Sequence, residues 1–213
     1  MLHKIIEKRD LSPSAYALRL ERNQFVFRPG QCVNLGLPGS GVNREYSTYS
    51  GTDDPYLEFL IKEVPVGTVS SALRKLEGGM EVELHGPYGS FVLQPEKIGN
   101  ARFVFIGTGT GIAPFHSFVR SYPGLDYRLI CGIRESNERY DAGDYDPERT
   151  VFCVSRENWE GYNGRVTDYL LENEVDPACI YYLCGNQKMI YSVYEILRNR
   201  EVNGDRIFTE AFF

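Results

Sequence analysis

The sequence is poor in the residues that build metal centres and nucleophile triads. It has three His, at positions 3, 85 and 116, and no shared motif brings them together, so neither a Ser–His–Asp arrangement nor a zinc site follows. The five Cys, at 32, 131, 153, 179 and 184, show no metal-ligand spacing and no Cys-rich run of the kind that holds an iron–sulfur cluster. No metal ligand is therefore expected. An odd Cys count, with three of them in apolar runs, suits a reducing compartment. A basic excess is also missing: the net charge is −6, which argues against a nucleic-acid binder. No apolar run approaches the length needed to cross a bilayer, and MLHKIIEKRD lacks the apolar stretch of a secretion signal. A cytoplasmic protein is expected, although a peripheral subunit would look the same. Internal repeats and low-complexity segments are absent too.

What is present divides into two halves. Residues 1–97 hold short β-type runs at 16–21, 31–37, 45–50, 56–63, 81–85 and 91–93, with one helical segment at 69–76. Turn signals separate them: Arg28-Pro29-Gly30, Pro38-Gly39-Ser40-Gly41, Thr52-Asp53-Asp54-Pro55 and Gly86-Pro87-Tyr88-Gly89. This pattern predicts a small antiparallel β-barrel. Residues 98–213 alternate strands, at 102–106, 128–133, 151–154, 180–184 and 207–213, with helices at 112–122, 166–171 and 187–200. That alternation predicts an α/β domain with a doubly wound parallel sheet. The acidic excess lies mostly in this second half, so a partner with an acidic surface would be repelled less by the first.

Four segments carry chemistry-bearing residues. Arg44-Glu45-Tyr46-Ser47, running on to Ser50, lies on a predicted strand between Arg28-Pro29-Gly30-Gln31 and the helix start Gly67-Thr68-Val69-Ser70. Gly107-Thr108-Gly109-Thr110-Gly111 follows a buried strand and opens a helix, the setting of a phosphate loop, but it matches neither G-x-G-x-x-G nor a Lys-containing P-loop. Leu183-Cys184-Gly185-Asn186-Gln187-Lys188-Met189 runs from a strand end into a helix, and Thr209-Glu210-Ala211-Phe212-Phe213 ends the chain. Arg134, Ser155-Arg156 and Arg165 lie just past predicted strand ends, where open α/β sheets take ligands. Each segment also has a plain reading, as a tight turn, a surface arginine, a buried thiol or a core aromatic.

In order and spacing, from about Arg28 onward, these segments resemble the ferredoxin–NADP⁺ reductase family, in its bacterial branch. The resemblance implies a flavin-binding barrel followed by an NAD(P)-binding domain. It implies FAD, with FMN less favoured; FMN or a loosely held FAD adenine stays open because the loops that grip the adenine of FAD are short here. Arg44 would pair with the flavin pyrophosphate and Tyr46, on the same strand face, would cover the flavin ring. Glu45, Ser47, Ser50, Ile61, Lys62, Gly67, Thr68, Val69 and Ser70 complete the expected flavin site. Thr108, Gly109, Thr110, Gly111, Cys184, Gly185, Asn186 and Met189 would hold the nicotinamide nucleotide. Arg134, Ser155, Arg156 and Arg165 favour NADP(H) over NAD(H), because a 2′-phosphate adds negative charge. Ser47, Cys184 and Glu210 are the implied catalytic residues, and Phe212 or Phe213 the ring that stacks on the flavin. The expected acceptor is a separate ferredoxin or flavodoxin. A reductase component of a multi-subunit oxygenase or dehydrogenase, a free-flavin reductase and a flavin-free nucleotide-binding module stay open.

Overall fold

The computed structural model describes residues 1–212, and Phe213 lies outside the described residues. The chain forms two compact units, Met1–Val92 with Ala113–Ser121, and Leu93–Ile112 with Tyr122–Phe213.

The first unit is an antiparallel sheet of β1 (Leu2–Ser12), β2 (Ala15–Glu21), β3 (Cys32–Gly36), β4 (Asn43–Ser47), β5 (Tyr56–Lys62) and β6 (Glu81–Tyr88). Their order is β4-β3-β6-β1-β2-β5. The two edges do not stay open. Thr48, just past β4, bridges Phe59 of β5, and Tyr49 N–H donates to Glu58 O at 2.8 Å. That closure makes the expected barrel and removes the unpaired edges. Its core holds Leu18, Leu20, Val33, Leu35, Leu57, Phe59 and Val82. Glu58, 2% exposed, is paired with two guanidinium groups, Arg9 Nη2 at 2.9 Å and Arg19 Nε at 2.8 Å.

Strand β1 escapes the sequence pattern because register shifts between Ile5 and Glu7 and between Asp10 and Ser12 break its alternation. The run at 91–93 is not a strand. Phe91 and Leu93 are buried, but Val92 N–H turns back to Ser90 O at 2.9 Å. Helix α1 (Thr68–Arg74) lies where the pattern predicts it.

Helix α2 (Ala113–Ser121) was expected with the α/β half, yet it clusters with the barrel. Its polar residues explain this. His116 Nδ1 donates to Tyr49 O at 2.6 Å while its ring stacks on Tyr49 at 3.8 Å, and Ser117 Oγ donates to Ser50 O at 2.7 Å. Arg120 grips Asp54 through two bonds of 2.9 and 2.6 Å. Buried polar groups need partners, and these are satisfied by the segment 49–54.

The second unit is a wholly parallel sheet of β7 (Phe103–Thr108), β8 (Tyr127–Ile133), β9 (Thr150–Val154), β10 (Tyr162–Asn163), β11 (Ile180–Asn186) and β12 (Ile207–Phe212), in the order β10-β9-β8-β7-β11-β12. Helices α3 (Val166–Glu172) and α4 (Gln187–Asn199) carry apolar faces packed on it. The direction of strand succession reverses between β7 and β11, and a doubly wound sheet opens a crevice at such a point. The two-residue β10, flanked by Gly161 and Gly164, is too short to show as a strand in sequence.

Asp54 gives this architecture a measurable pH signature. Burial by itself would raise its carboxyl, but the Arg120 bonds, the Gly51 N–H and nearby positive charge hold it below the ordinary 3.8. A depressed folded pKa stabilises above the unfolded value, and that contribution disappears as pH falls through the folded value. Asp54→Asn is expected to cost about 1 kcal/mol at neutral pH, a modest figure for a partly exposed pair. Urea melts of both proteins should show the gap closing as pH drops below 3.8.

Candidate functional site

In the first unit, β4 presents the Arg44–Ser47 segment. Arg44 and Glu45 are exposed and Tyr46 is half-buried against the barrel core. Cross-strand register sets Tyr46 opposite Val33 and Arg44 opposite Leu35, so the guanidinium-bearing and ring-bearing positions share one face. Burial pushes the Tyr46 hydroxyl up to about 12, with the Arg44 charge opposing. Arg44 Nη1 donates to Asn43 O at 2.8 Å and forms no ion pair among the described residues. Ser47 is buried, opposite Cys32.

Four expected flavin residues present no side chain to a ligand. Ile61 is fully buried in the barrel core. Ser50 is fully buried, and its Oγ accepts Glu58 N–H at 3.0 Å, so its hydroxyl serves barrel closure. Ser70 is buried with its Oγ accepting Val64 N–H at 3.0 Å, and Val69 joins the core. Lys62 and Thr68 are exposed, and α1 begins at Gly67 with no side-chain cap on its first N–H groups.

In the second unit, the ends of β7 and β11 interlock. A Cβ at Gly111 would lie 2.4 Å from Cys184 O, and one at Gly185 would lie 2.5 Å from Thr108 Oγ1. Both contacts are closer than any side chain tolerates, and Gly185 also sits at φ +130. Asn186 N–H donates to Thr108 Oγ1 at 3.3 Å, closing the joint. Thr108, Gly109 and Thr110 stay half-exposed at its rim. Asn186 Oδ1 accepts the N–H groups of Lys188 and Met189 at 3.0 and 3.4 Å, so this side chain caps α4. Met189 packs on the core beneath.

The β11–β12 register pairs Cys184 with Glu210, Gly185 with Ala211 and Asn186 with Phe212. Cys184 is fully buried, and burial first, then the Glu210 charge, pushes its thiol well above the usual range. The thiol is therefore protonated at neutral pH and is no nucleophile. Glu210 and Phe212 are half-buried, and Phe213 lies outside the described residues. None of the five Cys is disulfide-bonded, and no metal cluster forms among the described residues.

Arg134, Arg156 and Arg165 are all exposed, and their guanidinium groups make no hydrogen bond or ion pair among the described residues. Arg165 N–H, at the start of α3, is taken by Asp168 Oδ2 at 2.9 Å. Ser155 Oγ donates to Ile133 O at 3.1 Å, so in this rotamer it offers a ligand only acceptor lone pairs. Sequence reading missed the α2 anchor of His116, Ser117 and Arg120. Its signal was polar residues set among the apolar positions of a short helix.

A family described as oxidoreductase FAD-binding domain matches residues 3–93, and one described as oxidoreductase NAD-binding domain matches residues 105–195. The chain is 31% identical to ferredoxin–NADP reductase B of Sorangium cellulosum, covering 92% of this chain and 90% of that protein. It is 29% identical to the toluate 1,2-dioxygenase electron transfer component of Pseudomonas putida, over 96% of this chain. It spans 65% of the length of that component and 61% of the next two curated relatives. A crystal structure of a cytochrome P450 reductase of Amycolatopsis superposes with a TM-score of 0.89 at 29% identity, over 99% of this chain and 68% of the other. No helix among the described residues is long and apolar enough to cross a membrane.

Two consequences can be measured. Iodoacetamide at mildly alkaline pH should leave Cys184 unlabelled in the native protein and label it on unfolding, as peptide mass mapping would show. Gly185→Ala should lower stability by roughly 1–3 kcal/mol or more, read as a drop in the urea midpoint, since strain and a steric clash act together.

Proposed function

The chain belongs to the ferredoxin–NADP⁺ reductase-like family of oxidoreductases with an FAD-binding and a nucleotide-binding domain, and from that premise we propose that it moves electrons between NADPH and a separate carrier protein. Bound FAD supplies the chemistry, exchanging hydride with the nicotinamide and electrons with the carrier. The observation that carries this reading is the interlock of Gly111 with Cys184 and of Gly185 with Thr108. It joins a phosphate loop to a buried thiol and a carboxylate at the point where the strand order reverses.

The residues present fit both groups. Arg44, exposed and without an ion pair among the described residues, binds the flavin pyrophosphate with the uncapped start of α1 beside Gly67 and Thr68. Tyr46 offers a ring on the same strand face, and Glu45 and Lys62 flank it from exposed positions. Ser47 holds a hydrogen bond to the reacting edge of the flavin. Thr108, Gly109, Thr110 and Gly111 cradle the nucleotide through backbone N–H groups, and the protonated Cys184 is a compact wall beside Gly185 that excludes water. Glu210, whose carboxylate lies next to Cys184 in register, relays a proton, and Phe212 supplies the covering ring at the end of β12. Arg134, Arg156 and Arg165, exposed and unpaired among the described residues, support NADPH over NADH.

The partner is proposed as a ferredoxin or flavodoxin. A second reading rests on the relatives that are electron transfer or reductase components of oxygenases, and makes the acceptor an oxygenase partner.

The protein reconstituted with FAD should turn yellow and bleach anaerobically on adding NADPH. Protein that retains neither FAD nor FMN would overturn the proposal. Ser47→Ala should slow bleaching roughly tenfold to a hundredfold in stopped flow with little change in nucleotide affinity. Steady-state rates with ferredoxin, flavodoxin, an oxygenase component and free flavin as acceptors separate the two readings.

A further inference from the structure

The loops leaving β8 and β9 are tied together more closely than two solvent-facing turns need. Ser155 donates its backbone N–H and its hydroxyl to Ile133 O, each at 3.1 Å, and Arg156 N–H donates to Arg134 O at 3.0 Å. The backbones of the two arginines are thus in direct contact. Two carboxylates then lock the loops. Glu138 Oε2 accepts Arg134 N–H at 2.7 Å, and Glu157 Oε1 accepts Ser136 N–H across the gap between the loops. Ser136 is held from its other side as well. Its carbonyl accepts from Arg139 Nε at 3.0 Å, and the Arg139 guanidinium lies 5.0 Å over the Trp159 ring. Trp159 is fixed in turn, its N–H donating to Asn163 Oδ1 at 3.0 Å and its Nε1 to Tyr162 O at 2.9 Å.

This clamp leaves an unusual charge arrangement. Glu138 and Glu157 are engaged with backbone N–H groups and form no ion pair with Arg134 or Arg156, whose guanidinium groups are exposed and unpaired among the described residues. Two cationic side chains thus leave the chain from hydrogen-bonded backbone positions, and no acid of the same loops pairs with either among the described residues. An anion is the complement such a pair would take. A phosphate monoester matches the donor fork of two arginines, and both stand at strand C-termini, where the sheet receives ligands.

We propose that Glu157 is a positioning residue which, by holding Ser136, fixes Arg134 and Arg156 as a receptor for the 2′-phosphate that distinguishes NADPH from NADH. The proposal rests on the nucleotide-binding reading above and deepens it. The acid beside Arg156 is then neither a ligand for the ribose hydroxyls of NADH nor a charge that repels NADPH. Its hydrogen bonds with the Ser136 hydroxyl and N–H keep the Glu157 carboxyl below the usual carboxylate range, so the clamp is ionised throughout neutral pH.

The test uses the FAD-loaded protein and two variants, Glu157→Ala and Glu157→Gln. It measures kcat and KM for NADPH and NADH with ferricyanide, and Kd for 2′-AMP and 5′-AMP. Glu157→Ala is expected to raise KM for NADPH and Kd for 2′-AMP about tenfold at unchanged kcat, the effect of misplacing a charged hydrogen bond. NADH and 5′-AMP should stay within about twofold, since they lack the phosphate. Glu157→Gln, whose amide oxygen still accepts the Ser136 N–H, should stay within about threefold of the parent on NADPH. Arg139→Ala releases Ser136 from the other side and should reproduce the Glu157→Ala pattern, which guards against a variant that fails to fold. Tighter NADPH binding in both Glu157 variants would make the acid a repelling charge. Weaker NADH and 5′-AMP binding in Glu157→Ala would make it a ribose ligand, and unchanged constants would make it idle; each overturns the proposal. Parent protein reduced by neither nucleotide would refute the underlying nucleotide reading, and is seen before any variant is made.

Discussion

The second unit depends on a backbone contact that permits no side chain. Gly111 lies against the Cys184 carbonyl and Gly185 against the Thr108 hydroxyl, so the turn after β7 and the end of β11 share one small volume. A turn whose N–H groups are fixed beforehand loses less freedom on meeting a ligand than one that must be ordered by it. The interlock supplies that order from inside the protein. It also aligns chemistry across three neighbouring strands. Thr108 ends β7, Cys184 lies near the end of β11, and Glu210 of β12 is brought beside Cys184 by parallel register. Burial together with the adjacent carboxylate keeps the thiol protonated, so Cys184 is not poised as a nucleophile.

In the first unit, buried polar groups do comparable work. Closure of the barrel engages Thr48, Tyr49, Ser50 and Glu58, and the same segment receives the polar face of α2. Ser50 is the clearest case of a residue whose sequence motif suggests one duty and whose surroundings give it another. It follows a flavin-type motif, yet its hydroxyl accepts a barrel N–H and its carbonyl accepts Ser117. A buried hydroxyl is bound to whatever donor is nearest, since leaving that donor unmade would cost about 1–3 kcal/mol.

Most of the architecture was legible in the residues. The turn signals between 28 and 89 and the change to strand–helix alternation after Gly99 are local properties, and locally encoded elements came out within about three residues of their expected ends. Elements whose pattern is disturbed did not. Strand β1 is masked by two bulges, β10 by its brevity, and the apolar run at 91–93 fills the core without joining a ladder. The membership of α2 was not legible at all. Its apolar spacing shows a helix with one buried face, but which surface that face meets depends on partners 67 residues away, Tyr49 and Ser50.

The sequence alone determined that the chain would carry a barrel and a parallel sheet, with an Arg-x-Tyr-Ser strand in one and a glycine loop at a strand end in the other. Those are matters of period, turn chemistry and spacing, each fixed within a few residues. Only the tertiary structure decided which of the motif residues are exposed and which are turned inward. It turned Ile61, Ser50 and Ser70 inward and made Asn186 a helix cap. It left Arg44, Arg134 and Arg156 exposed. It also gave Glu157 a partner in Ser136, which no reading of Arg156-Glu157 as neighbours in sequence could supply. The reason is physical. A side chain's duty follows from the donors, acceptors and charges around it, and in a closed barrel or a parallel sheet those come from strands far away along the chain.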